Sequence, residues 1–169
     1  MKYILGLLCL LVLASCRANT NPDAHEPMQV KLVSGLSCPS LDSDASARWI
    51  ADTETLQRLL KGAHRSLIGK DIELPAFDFQ QRHLLLVGMG KKPNPGYRLE
   101  LLDENLEREG TDLIIRLRWK QPEPGRLYAM VISYPCLWLD MPQLTGTGVR
   151  IVDEQGRQRL YLPASKKAD

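Results

Sequence analysis

The side chains best suited to nucleophilic, proton-transfer or metal chemistry are four cysteines, Cys9, Cys16, Cys38 and Cys136, and three histidines, His25, His64 and His83. Their spacing matches no zinc-ligand pattern. The chain has no phosphate-binding glycine loop, no dinucleotide-binding glycine pattern and no Gly-x-Ser-x-Gly elbow. Cys136 as a nucleophile lacks a nearby histidine and a group to orient it. His64 as a general base is weaker than its reading as the cationic end of a helix, and His25 sits in a polar linker. Asp103, Glu104, Glu107 and Glu109 are acidic neighbours interrupted by Arg108, a pattern of solvated loop surface rather than of a calcium site. Arg116, Arg118 and Lys120 form a basic stripe on one strand face, where an acidic partner or plain solvent would meet them. These residues point to binding rather than catalysis, with no catalytic residue, metal or cofactor expected.

The elements that position these residues are mostly strands. Met28, Val30 and Leu32 alternate with polar residues, as in a half-buried strand. Residues 47–51 read as a short strand with Trp49 on the core. Asp52 offers a helix N-cap, Glu54 an acidic first turn, and Leu56, Leu59, Leu60 and Ala63 an apolar helix face, with Lys61, His64 and Arg65 at its end. Residues 74–79 hold both phenylalanines, Phe77 and Phe79, and return the chain to the core. The run from His83 to Val87 suits a strand buried on both faces. It leads into Gly88–Tyr97, where Pro95-Gly96 fits the centre of a type II turn, with Gly96 at positive φ. This loop is expected to be held out to a partner.

Beyond it, Tyr97, Leu99 and Leu101 alternate with Arg98 and Glu100. Leu113, Ile115, Leu117 and Trp119 alternate with Arg116 and Arg118, so the two runs are expected to pair antiparallel. Residues 103–110 read as a charged connection and 127–133 as a strand, broken at Tyr134-Pro135-Cys136 and resuming over 137–139. Residues 149–152 and 159–162 suggest a terminal hairpin. The expected fold is α+β: mostly antiparallel sheet, or a two-sheet sandwich, with one main helix.

The 169 residues suffice for a sizeable core, and 44% hydrophobic with 25% charged content excludes a disordered chain. A net charge of +2 argues against a nucleic-acid partner. Residues 3–14 are apolar but too short to span a bilayer, and follow Lys2 as in a secretory signal. Leu13-Ala14-Ser15-Cys16 resembles the lipobox of bacterial lipoproteins. The resemblance implies cleavage after residue 15 and lipidation of Cys16, which would anchor the protein to a membrane. Arg17 stands where aspartate is linked to inner-membrane retention in enteric bacteria, which favours the outer membrane facing the periplasm. Residues 16–27 then serve as a tether, 28–164 as a single β-rich domain, and 165–169 as a frayed tail. With Cys9 removed and Cys16 acylated, Cys38 and Cys136 remain as an even pair in an oxidising compartment. A Cys38–Cys136 disulfide is expected, the alternative being two buried thiols.

Asp78-Phe79, the apolar strand ending in Gly88-x-Gly90, Lys92-Pro93-x-x-Gly96-Tyr97, Pro122-x-Pro124-Gly125 and Tyr134-Pro135 occur in one order. In that order, residues 74–142 resemble the C-terminal domain of the PrcB family, a protease-complex subunit. The family usually reads Pro-Thr-Gly-Gly-Tyr where this chain has Pro93-Asn94-Pro95-Gly96-Tyr97. The resemblance implies a non-enzymatic lipoprotein that binds and stabilises a secreted or surface protease complex. The residues expected to meet the partner are Lys91, Lys92, Pro93, Asn94, Pro95, Gly96 and Tyr97, with 135–138 as an extension. Asn94-Pro95-Gly96-Tyr97, Pro135-Cys136-Leu137-Trp138 and Gly146-Thr147-Gly148 also resemble the loop set of chagasin-like protease inhibitors. A structural envelope lipoprotein is the third reading.

Overall fold

The computed structural model describes residues 28–33, 38, 43–63, 77–144 and 146–163. In chain order the elements are β1 (Lys31–Val33), β2 (Ser46–Ile50), α1 (Thr53–Ala63), β3 (Arg82–Gly88), β4 (Arg98–Leu101), β5 (Glu107–Glu109), β6 (Asp112–Lys120), β7 (Cys136–Pro142), β8 (Gly148–Val152) and β9 (Gln158–Leu162). They form two sheets. The first has the order β1-β7-β3-β2, all antiparallel. The second has the order β4-β6-β8-β9, with β5 also on β6. The fold is the expected α+β, mostly antiparallel arrangement with one helix.

β3 is apolar without interruption because both its faces are covered. Leu85 and Val87 enter a core shared by the two sheets, together with Leu113, Ile115 and Leu117 of β6 and Val149 and Ile151 of β8. Leu84 and Leu86 face the opposite way, against Leu56 and Leu60 of α1 and Trp138 of β7. Each fully buried leucine stabilises the fold by about 1.5–3 kcal/mol relative to an exposed one. Phe77 and Phe79 join this outer cluster, with ring centroids 4.7 Å apart.

The helix starts where Asp52 caps it. Its carboxylate accepts from the Thr55 amide at 2.7 Å and the Thr55 hydroxyl at 2.9 Å. These bonds, the amide's first, hold the Asp52 carboxyl below its usual pKa. Glu54 and Arg58 pair one turn apart at 3.0 Å on the exposed side.

Two junctions join the sheets. Between β4 and β5 the chain swings away from β6, and the Glu104 carbonyl accepts from the Val30 amide at 2.8 Å. The Leu106 amide donates to Met28 at the same distance. Residues 28–30 therefore pair with the second sheet before β1 joins the first, so the expected strand is divided between them. On the far side Trp49 of β2 donates its indole N–H to Pro163, just past β9, at 3.3 Å. The terminal hairpin of β8 and β9 forms around Asp153, which has no solvent exposure. Its carboxylate accepts from the amides of Gln155 and Arg157 and from Nε of Arg157 and Arg159, at 2.9–3.0 Å. Burial alone would raise its pKa, but these donors outweigh burial and leave it lowered.

Two expectations are corrected, and one pairing is new. Residues 127–133 are irregular and mostly exposed, not a strand. The charged connection contains β5, which pairs with the first residues of β6. β8 lies parallel to β6, because the chain crosses to the first sheet as β7 before returning. The expectations for residues 1–27, for Ala63's side chain, and for 64–76 and 165–169 lie outside the described residues.

Candidate functional site

The loop from Gly88 to Tyr97 is fastened to the body rather than held away from it. The Met89 amide donates to Pro135 at 2.9 Å, and the Lys91 amide to Ser43 at 3.1 Å. Gly90 has φ +77°, and a Cβ there would lie 2.4 Å from the Ser43 carbonyl oxygen. Glycine is required on both grounds. Lys92 and Ser133 exchange backbone hydrogen bonds at 2.9 Å, and the Ser133 hydroxyl donates to the Asn94 carbonyl at 2.7 Å.

The Pro95-Gly96 turn is present, but Gly96 does not have the positive φ that a type II turn demands. Asn94 sets the turn instead, its side-chain oxygen accepting from the Gly96 amide at 2.9 Å. Gly96 is needed for space: a Cβ would meet the Tyr128 ring at 2.8 Å. Lys92 Nζ sits 5.6 Å from the Tyr97 ring centroid.

The segment braced against this loop, residues 126–133, carries the feature that the sequence pattern concealed. Leu127 is 97% exposed and Met130 91%, and Val131 and Ile132 are each more than half exposed. Tyr128 is the anchor: its ring backs Gly96, its hydroxyl accepts from the Glu123 amide at 3.1 Å, and Arg126 covers it at 5.6 Å. Leu127 and Met130 thus stand in water and Val131 and Ile132 half in water, on a strap fixed at both ends, an exposed apolar area of the kind common at interaction sites. Their continuous apolar, strand-forming run reads as a strand. The one available counter-signal is Pro122-x-Pro124-Gly125 before them and Tyr134-Pro135 after, which break pairing at both ends.

Lys91, Pro93 and Pro95 are exposed, while Lys92, Asn94, Gly96 and Tyr97 are half-buried. The loop thus forms a basic shoulder beside the strap. Of the expected extension, Pro135, Cys136 and Leu137 are half-buried, and Trp138 is buried under the helix. Of the third chagasin-like loop, Gly146 is exposed, while Thr147 and Gly148 are buried. Cys38 and Cys136 are disulfide-bonded, with Cα atoms 5.6 Å apart. The bond fixes the start of β7, next to the Pro135 carbonyl that holds Met89. Cys16 lies outside the described residues.

The basic stripe is not free to meet a partner. Glu100 binds Lys120 at 2.7 Å, Arg118 at 3.3 Å and Arg98 at 3.4 Å, while Arg116 binds Glu107 at 2.7 Å. The Lys120 bond, foremost, lowers the Glu100 pKa. Buried His83 packs on Trp49 with ring centroids 6.0 Å apart, and its Nδ1 has no partner among the described residues. Burial lowers its pKa. Among the described residues no three His, Cys, Asp or Glu side chains are grouped to hold a metal ion.

No curated protein and no solved structure gives a significant match to the chain. Residues 84–142 match the PrcB C-terminal family model, about a third of the chain, in a stretch that runs from β3 to β7 and contains both the basic loop and the apolar strap.

Proposed function

We propose that this protein is a non-catalytic, membrane-anchored subunit that binds and stabilises a secreted or surface protease complex. The observation that carries this reading is the apolar strap of Leu127, Met130, Val131 and Ile132, braced on the 91–97 loop within the segment similar to the PrcB C-terminal family. Exposed apolar area of this kind is a liability for a protein that works alone and an asset for one that docks. Lys91 to Tyr97 supply the polar rim and the strap supplies the apolar centre. A lipid on Cys16, with residues 16–27 as tether and 28–164 as the docking domain, would hold the complex at the envelope, on the periplasmic side of the outer membrane.

Chemical crosslinking of the tagged full-length chain in its native envelope tests this reading. Recovery of a protease that still cleaves its substrate supports the stabiliser. A captured but silent protease supports inhibition instead. Recovery of envelope components alone supports a structural lipoprotein and removes the proposal.

A further inference from the structure

A second surface, sharing no residue with the 91–97 loop or the strap, lies where the two sheets part. Residues 28–30 pair with 104–106, and from the Val30–Glu104 hydrogen bond the chains diverge. β1 runs on beside β7 in the first sheet, and β4 beside β6 in the second. Each is therefore paired on one edge, and among the described residues its other edge has no strand partner. Between them lies a cleft of about 420 Å³. Leu32, Leu99, Leu101 and Leu137 line it, and Asp103 and Glu104 stand at its rim. Leu32 is 50% exposed there.

The rim charge is uneven. Glu100, also on the cleft, is already matched by Arg98, Arg118 and Lys120. Asp103 accepts from the amide and side chain of its neighbour Asn105 at 2.8 and 3.1 Å. Glu104 has no cation among the described residues. Two open strand edges call for a backbone that can hydrogen-bond to them, the leucine floor calls for apolar side chains, and Glu104 calls for a positive charge. A fatty acid meets only the second demand, and its carboxylate would be repelled.

We propose that the seam between β1 and β4 takes up an extended polypeptide segment of a partner protein, apolar towards the cleft and carrying a basic side chain opposite Glu104. The added strand would pair with one or both open edges.

The test uses the isotope-labelled full-length chain and a capped heptapeptide of alternating valine and threonine with one lysine near its end. A second peptide carries glutamate in place of the lysine. Titration of the lysine peptide should shift the amide signals of residues 31–33 and 98–104. The glutamate peptide should bind about tenfold more weakly, and Glu104→Lys should reverse that preference. Glu104 is exposed, so the variant is expected to fold normally. Absence of shifts in 98–104, or equal binding of the two peptides, would overturn the proposal. So would concentration-dependent shifts of the same amides without peptide, which would assign the seam to a second copy of the chain.

Discussion

Gly90 and Gly96 occupy one loop for different physical reasons. Gly90 needs a left-handed backbone and a close approach to Ser43, whereas Gly96 needs only the space taken by the Tyr128 ring. Gly90→Ala should therefore destabilise the fold by about 1–3 kcal/mol in urea unfolding. Gly96→Ala should instead displace Tyr128, reducing partner capture more than stability.

His83 gives a pH prediction with a definite sign. The folded state holds its pKa below the ordinary value of about 6.5, so the unfolded chain binds the extra proton more readily. Its contribution is fully present above that value and is lost as pH falls towards the lowered folded value. The urea midpoint should drop between pH 7.5 and 5.5, and His83→Gln should flatten the change. Asp52 and Asp153, held below the ordinary carboxylate range, act in a lower window and lose their contribution only in more acidic solution. The Asp52 cap and the place of the Pro95-Gly96 turn were readable because both are local, though the turn's backbone conformation was not. The Trp49 ring that packs on His83 and the Tyr128 ring that demands Gly96 were not, since both come from residues far along the chain.

At the level of elements, α1, the β4–β6 pair and the β8–β9 hairpin follow from periodicity, because each buries a face its own sequence defines, and β3 follows from an uninterrupted apolar run. The 127–133 strap defeats that logic. Its residues have strand character but no strand beside them, and only Lys92 and Ser133 keep a bridge. The parallel β6–β8 pairing was equally hidden, since no local pattern encodes which distant strand becomes the neighbour. The Cys38–Cys136 bond spans 98 residues and ties the strand that follows the strap to the N-terminal segment. Replacing both cysteines with serine should cost about 2–5 kcal/mol in urea unfolding of the domain. It should also speed amide exchange at Met89, whose acceptor is Pro135. Cleaner exchange at β9 is expected to single out the other clamp: Asp153→Asn should weaken protection of 158–162 while leaving β3 protected.

For the whole molecule, the two sheets are joined through residues 28–30 and 104–106 and carry a basic loop and an apolar strap bridged to each other at Lys92 and Ser133. The family likeness was legible because the PrcB-like order of motifs lies along the chain from β3 to β7. The exposure of the strap was not, since an apolar run does not report which side chains stay in water. A docking role needs both pieces to touch the partner. Leu127→Glu combined with Met130→Glu should change stability by less than about 0.5 kcal/mol, since both side chains are already in water. The direct measurement places a photo-crosslinking amino acid at Leu127 in the full-length chain within its native envelope, with the same group at exposed Arg58 on α1 as control. We expect a protease-complex component to be captured from position 127 and not from 58, with proteolytic activity retained. Equal capture from both positions, or none from 127, would contradict a protease-docking role for the strap.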